Sequence, residues 1–355
     1  MIQGGMLIAH GKSVRADIAM SGGRVAAIAP DLSSCRAAHV VDATGAYVTS
    51  GFIDLHTHVF AGVGESADAD TVCLPRGTTT AVDAGTAGAR TFGAFRRLAA
   101  ASTTRILSWL NLSTIGQADT RVPELVADRH MDVAACIDVA QANPDLVVGI
   151  KARLSTYAAG DSVTPLRRLA EVAEATGLPV MVHIGDTPIT LPEILATLRP
   201  GDVVTHTFTG RRRGVVGPDG QLLSQVQQAQ EAGIFFDVGR GRNHVSFPVL
   251  RAAFAKGFLP DSLSTDITEA TAADPAFAPS MIADYLLALD VPVVDVLHRL
   301  TAIPARIVKR PELATVSVGA SADLTICRVV DGLQLRPSRF SLRFGLEGSA
   351  GTPGG

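Results

Sequence analysis

The sequence predicts an α/β protein in which parallel strands close into a (β/α)8 barrel beside a small β domain. Three observations predict it. Eight short apolar or β-branched runs alternate with Ala/Leu/Arg/Glu segments of helical period through the centre of the chain. Those units occupy about 250 residues, the span of one TIM barrel. β-rich segments flank them on both sides of the 355-residue chain, which suggests a β-sandwich assembled from both termini. The expected division is 1–49 plus 310–345 for the small domain, 50–309 for the barrel and 346–355 for a flexible tail.

The elements follow in order. Residues 5–9, 16–20 and 24–28 are apolar or alternating and are separated by HGKS and SGG turn signals, so they read as strands. Residues 39–48 read as a strand pair, and 315–329 as a strand, a Gly-Ala-Ser-Ala-Asp turn and a strand. The barrel strands are expected at 52–56, 78–83, 105–111, 146–151, 179–183, 202–206, 234–238 and 262–266. Segments 165–176 and 222–232 supply amphipathic helices, the first opened by Pro165 and closed near Gly177.

Composition narrows the function classes. With 31 basic against 34 acidic side chains and a net charge of −3, no basic field suits nucleic acid or an anionic membrane. Cys35, Cys73, Cys136 and Cys327 form no CxxC pair, which argues against a disulfide framework or a zinc ribbon. No run approaches the roughly 18 apolar residues of a membrane span, and no secretory leader pattern opens the chain. A cytoplasmic protein with a small-molecule partner, as monomer or homo-oligomer, is the expectation. Lysine is scarce, at positions 12, 151, 256 and 309 alone, and Lys151 stands inside an apolar run.

In a (β/α)8 barrel the active site lies at the C-terminal ends of the strands. There the sequence places His56 and His58 (GFIDLHTH), Lys151 (LVVGIK), His183 (PVMVH), His206 (DVVTH) and Asp266 (SLSTD). Two residues apart on an extended chain, His56 and His58 point the same way. Imidazole nitrogens and carboxylate oxygens suit zinc and similar divalent ions. A single strand-end histidine usually has a structural role, and Asp266 alone could cap a helix. Six such residues at five strand ends, in barrel order, are a different matter.

This arrangement resembles the amidohydrolase superfamily of metal-dependent hydrolases across nearly the whole chain. It is most similar to the deacetylase branch, which carries a lysine in a VVGIK-type strand and an STD-type eighth strand. The resemblance implies two divalent ions, zinc being the first choice. His56 and His58 would hold the more buried ion and His183 and His206 the other. Carbon dioxide would form a carbamate on Lys151 that bridges both. Asp266 would complete the buried site and act as general base toward a hydroxide bridging the ions. The chain departs from the family pattern twice, with Ser50-Gly51 in place of Pro-Gly and Arg240 where a histidine is expected.

Lysine suits that bridge because an amine can be neutral when buried, whereas a guanidinium cannot readily lose its proton. Candidate substrate contacts are Arg153, two residues past Lys151, Tyr157 in the loop after strand four, and Arg240 with Arg242 after strand seven. Asp83 and Asn111 end strands two and three and are expected to be structural, as are His10, His39, His130 and His298. His244, beyond strand seven, fits either a structural or a site role. The expected activity is hydrolysis of an amide or ester bond in a small N-acyl amino acid or related carboxylated substrate. The alternative is a cyclic-amide hydrolase resembling dihydroorotase or hydantoinase. A mononuclear deaminase is disfavoured because those relatives lack the strand-four lysine.

Overall fold

The computed structural model describes residues 1–9 and 11–330. The tail at 346–355, the end of the 310–345 segment and His10 lie outside the described residues.

The first strands are β1 (Ile2–Ala9), β2 (Lys12–Ser21), β3 (Arg24–Ala29), β4 (Val41–Asp42) and β5 (Tyr47–Ser50). They form one sheet in the order β13-β5-β1-β2-β3, with β4 also on β1 and with β13 (Leu324–Cys327) supplied from the far end of the chain. Alternation explains the sheet's inner face. Ile2, Leu7, Ile18, Val25 and Val48 bury together, joined by Val316. The strand expected at 315–318 does not form. Pro311–Ala314 is a 3₁₀ turn, and the next residues latch onto β3, Val25 N–H donating to Ala320 O and Gly319 N–H to Val25 O. Backbone groups satisfied by β3 leave no ladder for a separate strand.

The barrel strands are β6 (Phe52–Thr57), β7 (Thr78–Gly88), β8 (Arg105–Asn111), β9 (Val147–Arg153), β10 (Val180–His183), β11 (Val203–Thr205) and β12 (Phe235–Asp237). They pair in chain order, all parallel. Helices follow the strands and cover the outside; Thr164–Thr176 has Pro165 in its first turn and ends on Gly177 at φ +67°, as its sequence predicts. Ile53, Leu55, Val82, Leu107, Trp109, Val148, Met181 and Val203 fill the inside. The Trp109 ring takes the space a side chain at 149 would need: a Cβ on Gly149 would stand 2.2 Å from Trp109 Cζ3.

The eighth segment closes the barrel without becoming a regular strand. Among the described residues it makes the isolated bridges Asp237↔Ser262 and Thr57↔Ile267. The cause is competition from side chains. Asp54 accepts both the Thr265 N–H at 3.0 Å and the Thr265 hydroxyl at 2.6 Å, and Asp266 turns into the left-handed region at φ +52°. Asp266 N–H then donates to His56 O at 2.7 Å, and His58 N–H to Ile267 O at 3.0 Å. The ring closes irregularly at the place where Asp266 is presented.

Candidate metal centre

The strand pleat sends His56 inward at the mouth of β6, with His58 two residues on; the chain's other strand ends meet them there. His56, His58, Lys151, His183, His206 and Asp266 all line one cavity of about 370 Å³. They fall into two donor groups. His56, His58 and Asp266 make the inner one; His183 and His206 make the outer one, together with His244 from the loop after β12. Lys151 is fully buried, with Nζ 3.3 Å from His56 Nε2 and 3.2 Å from Met181 Sδ. Gly85, at φ +86°, makes room for it, since a Cβ there would stand 2.9 Å from Lys151 Cβ and Cγ.

Hydrogen bonds behind the donors fix which nitrogens face the cavity. The Thr205 hydroxyl gives its one proton to Asp237 Oδ2 at 2.8 Å, so toward His56 Nδ1, also 2.8 Å away, it can only accept. His56 therefore carries its proton on Nδ1 and turns the Nε2 lone pair inward. His206 Nδ1 lies 2.6 Å from the Gly239 carbonyl, which only accepts, so its Nε2 is likewise bare. His58 is oriented by Thr86 at 2.8 Å, and Thr86 by Asp83, which accepts its N–H at 2.7 Å. Oriented imidazoles of this kind are the usual support of a metal site.

In the inner group the bare His56 Nε2 and the Asp266 carboxylate, both acceptors, face each other. Asp266 Oδ1 lies 3.3 Å from His56 Nε2 and 3.2 Å from His58 Nε2. A bare nitrogen facing a carboxylate oxygen at that distance is repulsive unless a positive charge lies between them. The residues thus fit a divalent cation on the chemistry of the donor set itself.

Electrostatics agree. Burial holds His56, His183 and His206 well below the ordinary imidazole value, so they stay neutral donors. Burial also brings the Lys151 ammonium down from 10.5 to about 7, against the opposing pull of Asp266 and Asp237. Asp237 is raised by burial while three hydroxyls, from Thr205, Ser262 and Ser264, oppose the shift.

The expected substrate contacts divide. Arg153 reaches the cavity wall, but its Nε and Nη2 are engaged by the buried Glu124 at 2.6 and 2.7 Å. Tyr157 also lines the cavity and donates its hydroxyl to the Thr120 carbonyl. Arg240 is not on the cavity wall; its guanidinium lies 3.8 Å over the Phe277 ring. From the same loop, Arg242, Asn243 and His244 line the wall instead, as do Gln117, Glu65 and Thr268 from elsewhere. These residues sit on irregular loops, where no periodicity marks which side chains face inward; in the GRGRNH segment only the arginine charges and the histidine imidazole carry a chemical signal.

The amidohydrolase family model matches residues 47–340. The chain belongs to the amidohydrolase family. It is a hydrolase of carbon–nitrogen bonds. Among its relatives is a protein named deacetylase from Agrobacterium fabrum, 35% identical over 320 residues that cover 89% of this chain and 79% of the relative. A solved structure titled as a dihydroorotase superposes with a TM-score of 0.85 at 33% identity, covering 93% of this amidohydrolase and 90% of that chain. Another, titled as an adenine deaminase, gives 0.85 at 30% identity over 93% and 89%.

Proposed function

We propose that the protein is a two-metal deacetylase that hydrolyses the amide, or ester, bond of small N-acyl amino acids and related carboxylated substrates. Lys151 carries the reading. It is a fully buried amine between two donor groups, in contact with an imidazole and a thioether, and held near pKa 7 by burial. As a cation it would repel two divalent ions. As a neutral amine it would add to the carbon of carbon dioxide, an N–C bond forming as one C=O π bond opens and one proton leaves to solvent, and the resulting carbamate would offer the metals an anionic oxygen donor in place of a repelling cation.

His56, His58 and Asp266 would hold one ion and His183 and His206 the other, zinc in this reading. Such ions, when bound, supply Lewis acidity and a water acidified to neutral pH. The remaining steps belong to the chain. Asp266 has one carboxylate oxygen within 3.3 Å of both inner imidazoles, so it acts as general base, taking the proton of the attacking water and returning it to the leaving nitrogen. Arg153, held rigid by Glu124, and Tyr157 form the wall that orients the substrate, and Arg242 takes the contact expected of Arg240. The cavity volume of about 370 Å³ suits a substrate of N-acyl amino acid size. The same reading gives a cytoplasmic enzyme with no nucleic-acid or membrane partner; no described helix is long and apolar enough to cross a membrane.

A second reading, a cyclic-amide hydrolase, is supported by the dihydroorotase-titled neighbour. Turnover of N-acetyl amino acids and of dihydroorotate by zinc-loaded protein in bicarbonate separates them. Hydrolysis of the open-chain amides is expected, and activity on the ring substrate alone sinks the first reading. A purified protein that holds no divalent ion, and takes up none with bicarbonate, defeats both.

A further inference from the structure

The ligands named for the two ions in the proposed function do not include His244, although its imidazole belongs to the outer donor group. Its ring stacks on His206 at 3.9 Å and 24°, and meets His183 edge-on at 5.1 Å and 82°. All three can present a nitrogen within 4.8 Å of the others. The Nδ1 atom of His244 is buried and has no hydrogen-bond partner among the described residues. A buried polar atom without a partner, beside two imidazoles aimed into the same space, calls for an explanation.

The backbone is arranged to hold this ring in place. Gly241 has φ +47°, and a Cβ there would lie 2.7 Å from His244 Cδ2 and 2.5 Å from Asp266 Oδ2. The loop's start is pinned by Arg240 N–H on Ser264 O and Gly241 N–H on Thr265 O, at 3.0 and 3.1 Å, and its end by Ser246 N–H on Phe208 O at 2.8 Å. Arg240, over Phe277, anchors the outer side. That anchor gives Arg240 a role that does not require substrate.

We infer that His244 is a third protein ligand of the outer ion, completing a three-imidazole site with His183 and His206. The inference rests on the two-metal reading. Zinc–nitrogen bonds of about 2.0–2.1 Å put two imidazole nitrogens on one ion roughly 3.3 Å apart, so a modest rotation of the loop side chain closes the triad. The consequence is an asymmetry. Apart from the Lys151 carbamate that both ions would share, the inner donors include the Asp266 carboxylate whereas the outer donors would be neutral imidazoles, which would make the outer site the more electrophilic of the two. It also ties the position of the 240–246 loop, one wall of the cavity, to occupancy of that site.

The test titrates metal-free full-length protein with zinc in bicarbonate buffer and compares wild type with His244→Ala and His244→Gln. Glutamine is close in volume and has no imidazole nitrogen, so it keeps the loop packed if alanine does not fold. Wild type is expected to take two ions. In both variants the first ion binds as in wild type and the second about tenfold or more weakly, with millimolar imidazole restoring it in the alanine variant. A wild type that binds no zinc overturns the two-metal reading and this inference with it. Two ions in wild type with a smaller change in the folded variants overturns the inference alone, and leaves His244 as a wall residue.

Discussion

Lys151 is the residue on which the chemistry turns. Replacing it by alanine is expected to abolish two-metal binding, measured as metal content after gel filtration, with partial return in the presence of small carboxylic acids. Two ions retained without such an acid would count against the bridge. Its buried amine also leaves a mark on the metal-free protein. Unfolded, the lysine holds its proton up to about 10.5; folded, it releases it near 7. Between those values the unfolded state binds more protons, so stability rises with pH, by at most about 1.4 kcal/mol per unit. Urea unfolding at pH 7.5 and 9.5, free of metal and carbon dioxide, checks this: Lys151→Met should flatten the rise, and parallel profiles would refute it. Thr205 is the second informative residue, since it joins His56 to Asp237 through one hydroxyl. Thr205→Val should cost about 1–3 kcal/mol and weaken zinc roughly 10–100-fold, because it removes one of the two hydroxyls on Asp237 Oδ2, leaves the buried His56 Nδ1 proton without an acceptor and releases the tautomer of His56.

Among the elements, the eighth segment shows how local chemistry overrules a strand pattern. SLSTD has the composition of a strand, and its side chains do close the barrel, but Asp54 captures Thr265 and the backbone bends at Asp266. That bend is what directs the Asp266 carboxylate at His56 and His58. Thr265→Val, which removes the hydroxyl from Asp54 and keeps the shape, is expected to destabilise by about 1–3 kcal/mol. It should also lower kcat more than KM, since the base loses its support while the cavity wall is untouched. Equal loss in both parameters would place the residue in substrate binding instead. Inside the barrel, Gly149→Ala forces a methyl against the Trp109 ring and should cost several kcal/mol by thermal unfolding.

For the molecule as a whole, the two donor groups are drawn from strand ends around the ring and from the loop after β12, so bound metal ties the ring together. Chelation is expected to lower Tm, and zinc with bicarbonate to restore it, since a ligand at about 100 times its Kd adds roughly 2.7 kcal/mol per site. A Tm indifferent to chelator in a protein shown to hold metal would mean that the ring is rigid without it.

The alternation of strands and helices, the sheet drawn from both ends of the chain, and the meeting of His56, His58, Lys151, His183, His206 and Asp266 are all legible in the order of the residues. Each rests on a regular period: side chains two apart share a face, and parallel strands end together. What periodicity does not encode, folding decided. The bend at Asp266, the capture of Gly319 and Ala320 by β3, the diversion of Arg240 onto Phe277 and the placement of His244 on His206 all arise in irregular backbone. There the direction of a side chain is set by contacts between residues far apart in sequence. The sequence alone determined which strand ends converge; only the tertiary structure decided which loop side chains meet them, because a loop takes its conformation from the surface it lies against.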